Sequence, residues 1–239
     1  MKNSINNIIL YFAAVVTASL CSCSDSLFDD GLQNDGGSIS LSADIEQLAV
    51  TRVNDSGFCN GDMMGVYVVD YEGGNPGILK QSGNRGDNVR YTIDETANKW
   101  TGAYELYWKD KHTPIDVYGY YPFAAPESIE SYQFEVQKDQ SKPSADGEMG
   151  GYEARDFLWG KVADLAPTTR VIRLPLSHRM SNARVTLLQG SGFTAEEWAA
   201  TEKIVLVPNV MRKASINLAD GTVSVAGEVE NTATIPSRT

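Results

Sequence analysis

The chain has 239 residues, with 20 Lys and Arg against 31 Asp and Glu, a formal net charge of −11 and a pI near 4.6. A protein that grips nucleic acid through bulk charge needs the opposite sign, so that class is excluded. Hydrophobic residues make up 42% and charged residues 21%, ordinary globular usage that excludes wholesale disorder and a multi-span membrane protein.

The first predicted element is a targeting segment. Lys2 is the only charge ahead of the apolar run Ile8 to Leu20, which falls short of the roughly 20 residues a membrane span requires and has the form of a signal-peptide h-region. The run ends in Leu20-Cys21-Ser22-Cys23. A lipoprotein signal peptidase needs a branched apolar residue at −3, a small residue at −1 and a Cys whose thiol takes the diacylglycerol. Cys23 meets that rule through Leu20 and Ser22, whereas Cys21 would put Ser19 and Leu20 at those positions. Residues 1–22 therefore read as a lipoprotein signal peptide and Cys23 as the lipidation site, an ordinary cleaved signal being the alternative. Cleavage there leaves Cys59 as the one other cysteine, so no intrachain disulfide can form and the fold must rest on its core. Residues 23–37, acidic and rich in glycine, read as a tether. Acidic residues directly after a lipid-bearing Cys also resemble a surface-export signal of outer-membrane lipoproteins.

From there the segments are short, alternating and bounded by turn residues, the pattern of a β-protein. Ile39–Ala43, Gly65–Val69, Val89–Ile93, Asp116–Tyr120 and Tyr132–Val136 each alternate with period two, which predicts one buried face per strand. Ala163–Thr169, with Pro167, interrupts the pattern and marks the expected domain boundary. Beyond it come Val171–Leu174, Ala183–Leu187, Lys203–Val207, and Ala214–Leu218 joined to Thr222–Val225 by Asp220-Gly221, a type I′ hairpin signal. Thr194-Ala195-Glu196-Glu197 is a capping box and predicts one short helix. The expected organisation is an N-terminal β-sandwich over 38–168 and a C-terminal one over 169–239. Past Glu228 only Ala233–Ile235 reads as strand, too little to close the second sandwich, so that domain is expected to be incomplete or to leave an edge for another chain.

Residues that carry chemistry are sparse. Trp100, Tyr104, Tyr107, Trp108, Tyr118, Tyr120, Tyr121 and Phe123 crowd 24 residues; core packing between sheets is the favoured reading and a sugar-stacking platform the alternative. His112 and His178 lie far apart in no metal-ligand spacing, and His178 reads as a satisfied side chain near a domain junction. No nucleophile elbow or phosphate-binding glycine loop appears. The acidic pairs are better explained as tether, turn and helix-start residues, so the chain is read as no enzyme, with no cofactor. Cys59 reads as a small core or loop residue. Arg85-Gly86-Asp87 spells a tripeptide that some animal cell receptors bind, but in a glycine-rich turn it reads as chance. An Arg in a polar loop after the first strand, as Arg52 is, makes a natural protease site, but without further context it reads as a solvated side chain.

Taken in order, Thr51-Arg52, Gly61–Tyr67, Tyr107-Trp108-Lys109, Val117–Phe123, Phe134–Ser141, Arg155–Gly160 and Leu176–Met180 resemble the fimbrillin family, lipoprotein pilin precursors of type V pili in Gram-negative anaerobes. The resemblance implies an all-β fold of two transthyretin-like β-sandwich domains, export as a lipoprotein to the outer membrane, and maturation by a trypsin-like protease cutting after an Arg in the first inter-strand loop. Carried onto this chain, that Arg is Arg52 and the removed segment runs from Cys23 to Arg52, taking the strand Ile39–Ala43 with it. Removing an edge strand exposes an apolar groove that a neighbour's strand can fill by main-chain pairing, and head-to-tail repetition builds a filament. Family pilins carry a longer C-terminal region than one stopping at Thr239, which again puts the second domain down as incomplete. The implied partners are other fimbrial subunits by donor-strand exchange, the outer membrane through the lipid before maturation, and host or bacterial surface ligands, with no nucleic acid. The alternatives are a pilus tip or anchor subunit, or a monomeric surface lipoprotein that binds glycan through exposed aromatics.

Overall fold

The computed structural model describes residues 36–46, 57–94, 96–136, 156–181, 187–201, 204–207, 209–229 and 233–236. They form β1 (Leu41–Ile45), β2 (Met63–Asp70), β3 (Gly86–Asp94), β4 (Lys99–Gly102), β5 (Ile115–Tyr121), β6 (Tyr132–Glu135), β7 (Leu158–Leu165), β8 (Ile172–His178), α1 (Ala195–Ala200), β9 (Ile204–Val207), β10 (Lys213–Ile216), β11 (Val223–Val225) and β12 (Ala233–Pro236). The protein is all-β, as the alternation predicts. The lone helix starts at its capping box: Thr194 Oγ1 accepts the Glu197 amide at 3.2 Å, and the Glu197 carboxylate accepts the Thr194 amide at 2.9 Å. Of the expected strand Ala183–Leu187, residues 183–186 lie outside the described residues.

Seven strands make one sheet in the order β1-β8-β7-β5-β2-β3-β4; β11-β10-β6 and β12-β9 form two smaller sheets. The large sheet curls until its two edge strands, β1 and β4, approach each other. Its concave side holds a core of Met64, Val66, Val89, Tyr91, Val117 and Leu174, with Trp100 and Trp108 at the seam. The convex side of β2, β5 and β7 carries Tyr67, Tyr118, Tyr120 and Trp159, and Phe134 and Ile216 of the three-stranded sheet cover it.

Both faces of β2 and β5 are therefore buried, every residue of β5 included, where the alternation predicts one buried face. The alternating partners here are Val and Tyr. Tyrosine supplies a large apolar area to the second core while its hydroxyl finds a partner: Tyr120 Oη lies 2.7 Å from Asn88 Oδ1 and 2.8 Å from the Ala124 carbonyl.

Two turns take their form from the strands they join. β7 continues through Ala163 to Leu165 and pairs with both β5 and β8, so Pro167 sits in a reversal between neighbouring strands. Hydrogen-bonded pairing crosses residue 168/169 again where β10 joins β6, and the described residues all fall in the unit Asn34–Thr239. At Asp220-Gly221 only Gly221 has positive φ, 71°, whereas a type I′ turn needs it at both central residues. The loop is longer: the Gly221 amide reaches the Asn217 carbonyl at 2.8 Å, and the Asp220 carboxylate accepts from the Thr222 amide at 2.9 Å and hydroxyl at 2.7 Å. Those two bonds hold the Asp220 carboxyl below its ordinary pKa.

The buried tyrosines set an alkaline limit. Burial, helped by the Asp87 carboxylate, pushes the Tyr67 phenol up to about 12, and burial with the neighbouring Tyr104 does the same for Tyr91. A phenol whose folded pKa lies above the unfolded value of about 10 contributes stability that is complete below that pH and is lost as pH rises through the folded value. Strand circular dichroism should hold to about pH 10 and collapse as pH climbs toward 12, together with the rise of tyrosinate absorbance. Titration of these phenols near pH 10 in an intact fold would overturn this account.

Candidate functional site

The chain crosses from one edge of the curled sheet to the other through a single short segment, Gly37 to Glu46. Its first part bonds to the chain just after β4: the Ile39 amide donates to the Leu106 carbonyl at 2.7 Å, the Trp108 amide donates to the Gly37 carbonyl at 3.0 Å, and Ser38 and Tyr107 form an antiparallel bridge. Its second part is β1, which runs parallel to β8 in the register Leu41 with Ile172, Ala43 with Leu174 and Ile45 with Leu176. The Ile172 amide donates to the Ser40 carbonyl at 2.9 Å and the Glu46 amide to the Leu176 carbonyl at 2.8 Å. The segment thus laces the seam of the barrel.

Local sequence explains why it lies this way. Alternation of Ile39, Leu41 and Ala43 with Ser40, Ser42 and Asp44 sends the apolar set inward, and all three are buried. Burying Ile39 and Leu41 contributes about 2 kcal/mol each. The outward residues meet polar partners, with Asp44 3.4 Å from Arg173 Nη1 and Glu46 accepting from the Ser177 hydroxyl; the Arg173–Asp44 pair is well exposed and adds little. Among the described residues the β1–β8 pairing is the one parallel joint, a pattern slightly weaker per residue than antiparallel pairing. At the far end of β1 an open cleft of about 230 Å³ is lined by Ala43, Ile45, Phe58 and Ile93.

Beneath the lace lies Trp108, fully buried, its indole Nε1 donating to the Thr168 carbonyl at 3.2 Å. Sequence reasoning places Trp108 in the aromatic cluster without marking it as the floor of this seam. Leu106, Arg173 and Ser177 were likewise not singled out. Their common signal, position along a strand edge, appears only once distant segments pair.

The other residues weighed from sequence fall as follows. Cys23 and Arg52 lie outside the described residues. Of the eight clustered aromatics, Trp100, Trp108, Tyr118, Tyr120 and Tyr121 are buried, Phe123 is half-buried, and Tyr104 and Tyr107 are exposed. The favoured core reading thus fits most of the cluster. Arg85 grips Asp70 with two bonds, 2.6 and 2.7 Å, while Asp87 accepts the Gly83 and Asn84 amides at 2.8 and 2.9 Å. Both charged members of the Arg-Gly-Asp tripeptide are occupied within the chain. His178 Nδ1 lies 2.8 Å from Asp156 Oδ2 at the end of β8, a satisfied side chain as expected. Cys59 is exposed in the loop before β2, where its amide donates to the Asp62 carboxylate at 2.8 Å. Among the described residues no group of three or more His, Cys, Asp or Glu side chains is placed to hold a metal ion, and no helix is long and apolar enough to cross a membrane.

Comparison with known proteins places this architecture. A crystal structure of a candidate cell adhesion protein from Bacteroides uniformis superposes with a TM-score of 0.58 at 18% identity, covering 84% of this chain and 72% of its own; the two share a fold. A fimbrial protein from Bacteroides ovatus overlaps less, with a TM-score of 0.40 at 19% identity, over 62% of this chain and 29% of its own. No curated protein matches the chain. The family model described as fimbrillin-like matches residues 51–239, most of the length, and the chain accordingly belongs to the fimbrillin-like family.

Proposed function

We propose that the protein is a structural, non-enzymatic subunit of a fimbrium. In this reading it is exported as a lipoprotein acylated at Cys23, reaches the outer-membrane surface, is cut after Arg52, and assembles with other fimbrial subunits by donor-strand exchange, supporting adhesion. The observation that carries the reading is the lace: Gly37–Glu46 precedes Arg52 and closes the barrel seam by non-local pairing alone. Cutting after Arg52 severs it from everything C-terminal. Its departure leaves the amides of Trp108 and Ile172 and the carbonyls of Leu106 and Leu176 without the partners they have now, beside the uncovered side chains of Leu174 and Leu176. Such an edge is a template for an incoming strand. Membership of the fimbrillin-like family and a shared fold with a candidate adhesion protein support the same reading.

The proposal keeps two transthyretin-like sandwiches, with β8 counted in the first because it pairs with β1 and β7. A glycan-binding surface lipoprotein, or a tip or anchor subunit that keeps its lipid, is the second reading; exposed Tyr104 and Tyr107 favour the glycan version.

The test is mass measurement and N-terminal sequencing of protein recovered from the cell surface, with and without a trypsin-like protease. The expected product begins at Val53 and runs as SDS-resistant ladders, and Arg52→Ala loses both. A chain that keeps an acylated Cys23, resists cutting and stays monomeric would sink the stalk-subunit reading.

A further inference from the structure

Among the described residues, the contacts that seat the lace all precede Arg52. Ile39, Leu41 and Ala43 are 6%, 5% and 6% exposed, and the seam bonds at Gly37, Ile39, Ser40 and Glu46 and the β1–β8 ladder fall within residues 37–46. Cutting after Arg52 therefore breaks the covalent link and none of these contacts. What the cut changes is concentration. A short link holds its two ends at an effective concentration on the order of millimolar, and cutting replaces that with the concentration of the separate pieces. Departure of the severed lace is then a dissociation, in which two large apolar side chains leave a buried core and the seam amides lose their partners.

Chain order adds a second consequence. Cys23, the proposed lipid site, lies on the same side of the cut as the lace, whereas every strand from β2 to β12 lies on the other. The fragment Cys23–Arg52 thus carries a membrane anchor at one end and the seated strand β1 toward the other, and it grips the rest of the chain through the seam.

We infer that the seam is the membrane attachment of the cut subunit: the severed lace stays seated, its lipid holds the body at the outer membrane without a covalent link, and the body is freed when another strand takes the seam. This rests on the proposed acylation at Cys23 and cut at Arg52. It makes release from the membrane conditional on assembly, so that cut subunits are not shed singly. The hold comes from apolar burial and backbone pairing, because the Arg173–Asp44 pair has side chains 80% and 63% exposed and is screened by salt. High salt alone therefore leaves the body attached, whereas an extended peptide with the sequence of the lace competes it away.

The test uses outer-membrane fractions bearing the full chain, treated with the trypsin-like protease and washed in high salt. One portion is then incubated with an excess of synthetic peptide 37–46, a second with the same peptide carrying Leu41→Asp, and a third with none. Mass measurement and N-terminal sequencing identify the chains in pellet and supernatant. The expected body begins at Val53 and stays in the pellet of the second and third portions. It is lost to the supernatant in the first, and from a detergent extract of the pellet it co-purifies with the acylated fragment ending at Arg52 until denaturant is added. Uncut Arg52→Ala protein stays in the pellet throughout. A body that enters the supernatant on cutting overturns the inference while the cut stands. A pellet-bound body that lacks the fragment, or that keeps it through prolonged incubation with the unaltered peptide, is held elsewhere and overturns it too. If no chain begins at Val53, or Cys23 carries no acyl group, the proposed processing fails and this inference falls with it.

Discussion

Trp108→Ala is expected to lower the unfolding free energy by about 4 kcal/mol, in the range typical for removing a fully buried Trp. The indole is fully buried in the core that Ile39, Leu41 and Ala43 of the lace cover, and the backbone at Trp108 accepts the lace so closely that a Cβ built on Gly36 would lie 2.4 Å from the Trp108 Cβ. Truncation removes that floor and also takes the indole donor from the Thr168 carbonyl, leaving a polar group short of a partner. Denaturant unfolding reads the loss as a lower midpoint with an unchanged slope. The consequence reaches the lace: amide hydrogen exchange at Ile39 and Ile172, whose donors bond across the seam, should accelerate more than exchange in β2 or β5. A loss below about 1 kcal/mol, or uniform exchange across the sheet, would show that the lace does not rest on Trp108.

Gly160→Ala should cost about 3 kcal/mol, at the upper end for overpacking a filled core. A Cβ on Gly160 would lie 1.9 Å from the carbonyl oxygen of Pro175, so β8 itself must move away from β7. Gly119, its partner across β5 and β7, gives the contrast: there a Cβ would lie 2.1 Å from the Leu174 Cδ2 atom, the end of a side chain that can turn aside. Gly119→Ala should therefore cost roughly half as much. Because β8 carries β1, Gly160→Ala should also speed the cut proposed after Arg52. Equal destabilisation by the two substitutions, measured in parallel melts, would contradict the assignment of the clash to backbone.

The fold class was legible because it depends on local periodicity. Ile39–Ala43, Gly65–Val69 and Val89–Ile93 alternate with period two, and a strand's side chains alternate whatever it pairs with. The helix was equally legible, since Thr194 and Glu197 satisfy each other's amides within one turn. What alternation could not reveal was the second core. Tyr67, Tyr118 and Tyr120 look like an outward face until Phe134 and Ile216, distant in sequence, close over them. The interruption at Ala163–Thr169 is a related case: Pro167 signals a change of direction, and only pairing decides whether the chain turns into a neighbouring strand, as it does from β7 to β8.

The candidate site divides along the same line. By itself the sequence determined the alternation of the first strand and the family pattern spread from Thr51 to Met180, and it set the expectations of an address ending at Cys23 and a protease site at Arg52. Those are properties of residues near one another in the chain, set by short-range rules of charge, size and alternation. Only the tertiary structure decided that the first strand crosses from Leu106–Trp108 to Ile172–Leu176 and seals the barrel. That closure depends on segments more than 60 residues apart meeting with their edges unpaired, and no local pattern encodes which two edges a strand will join.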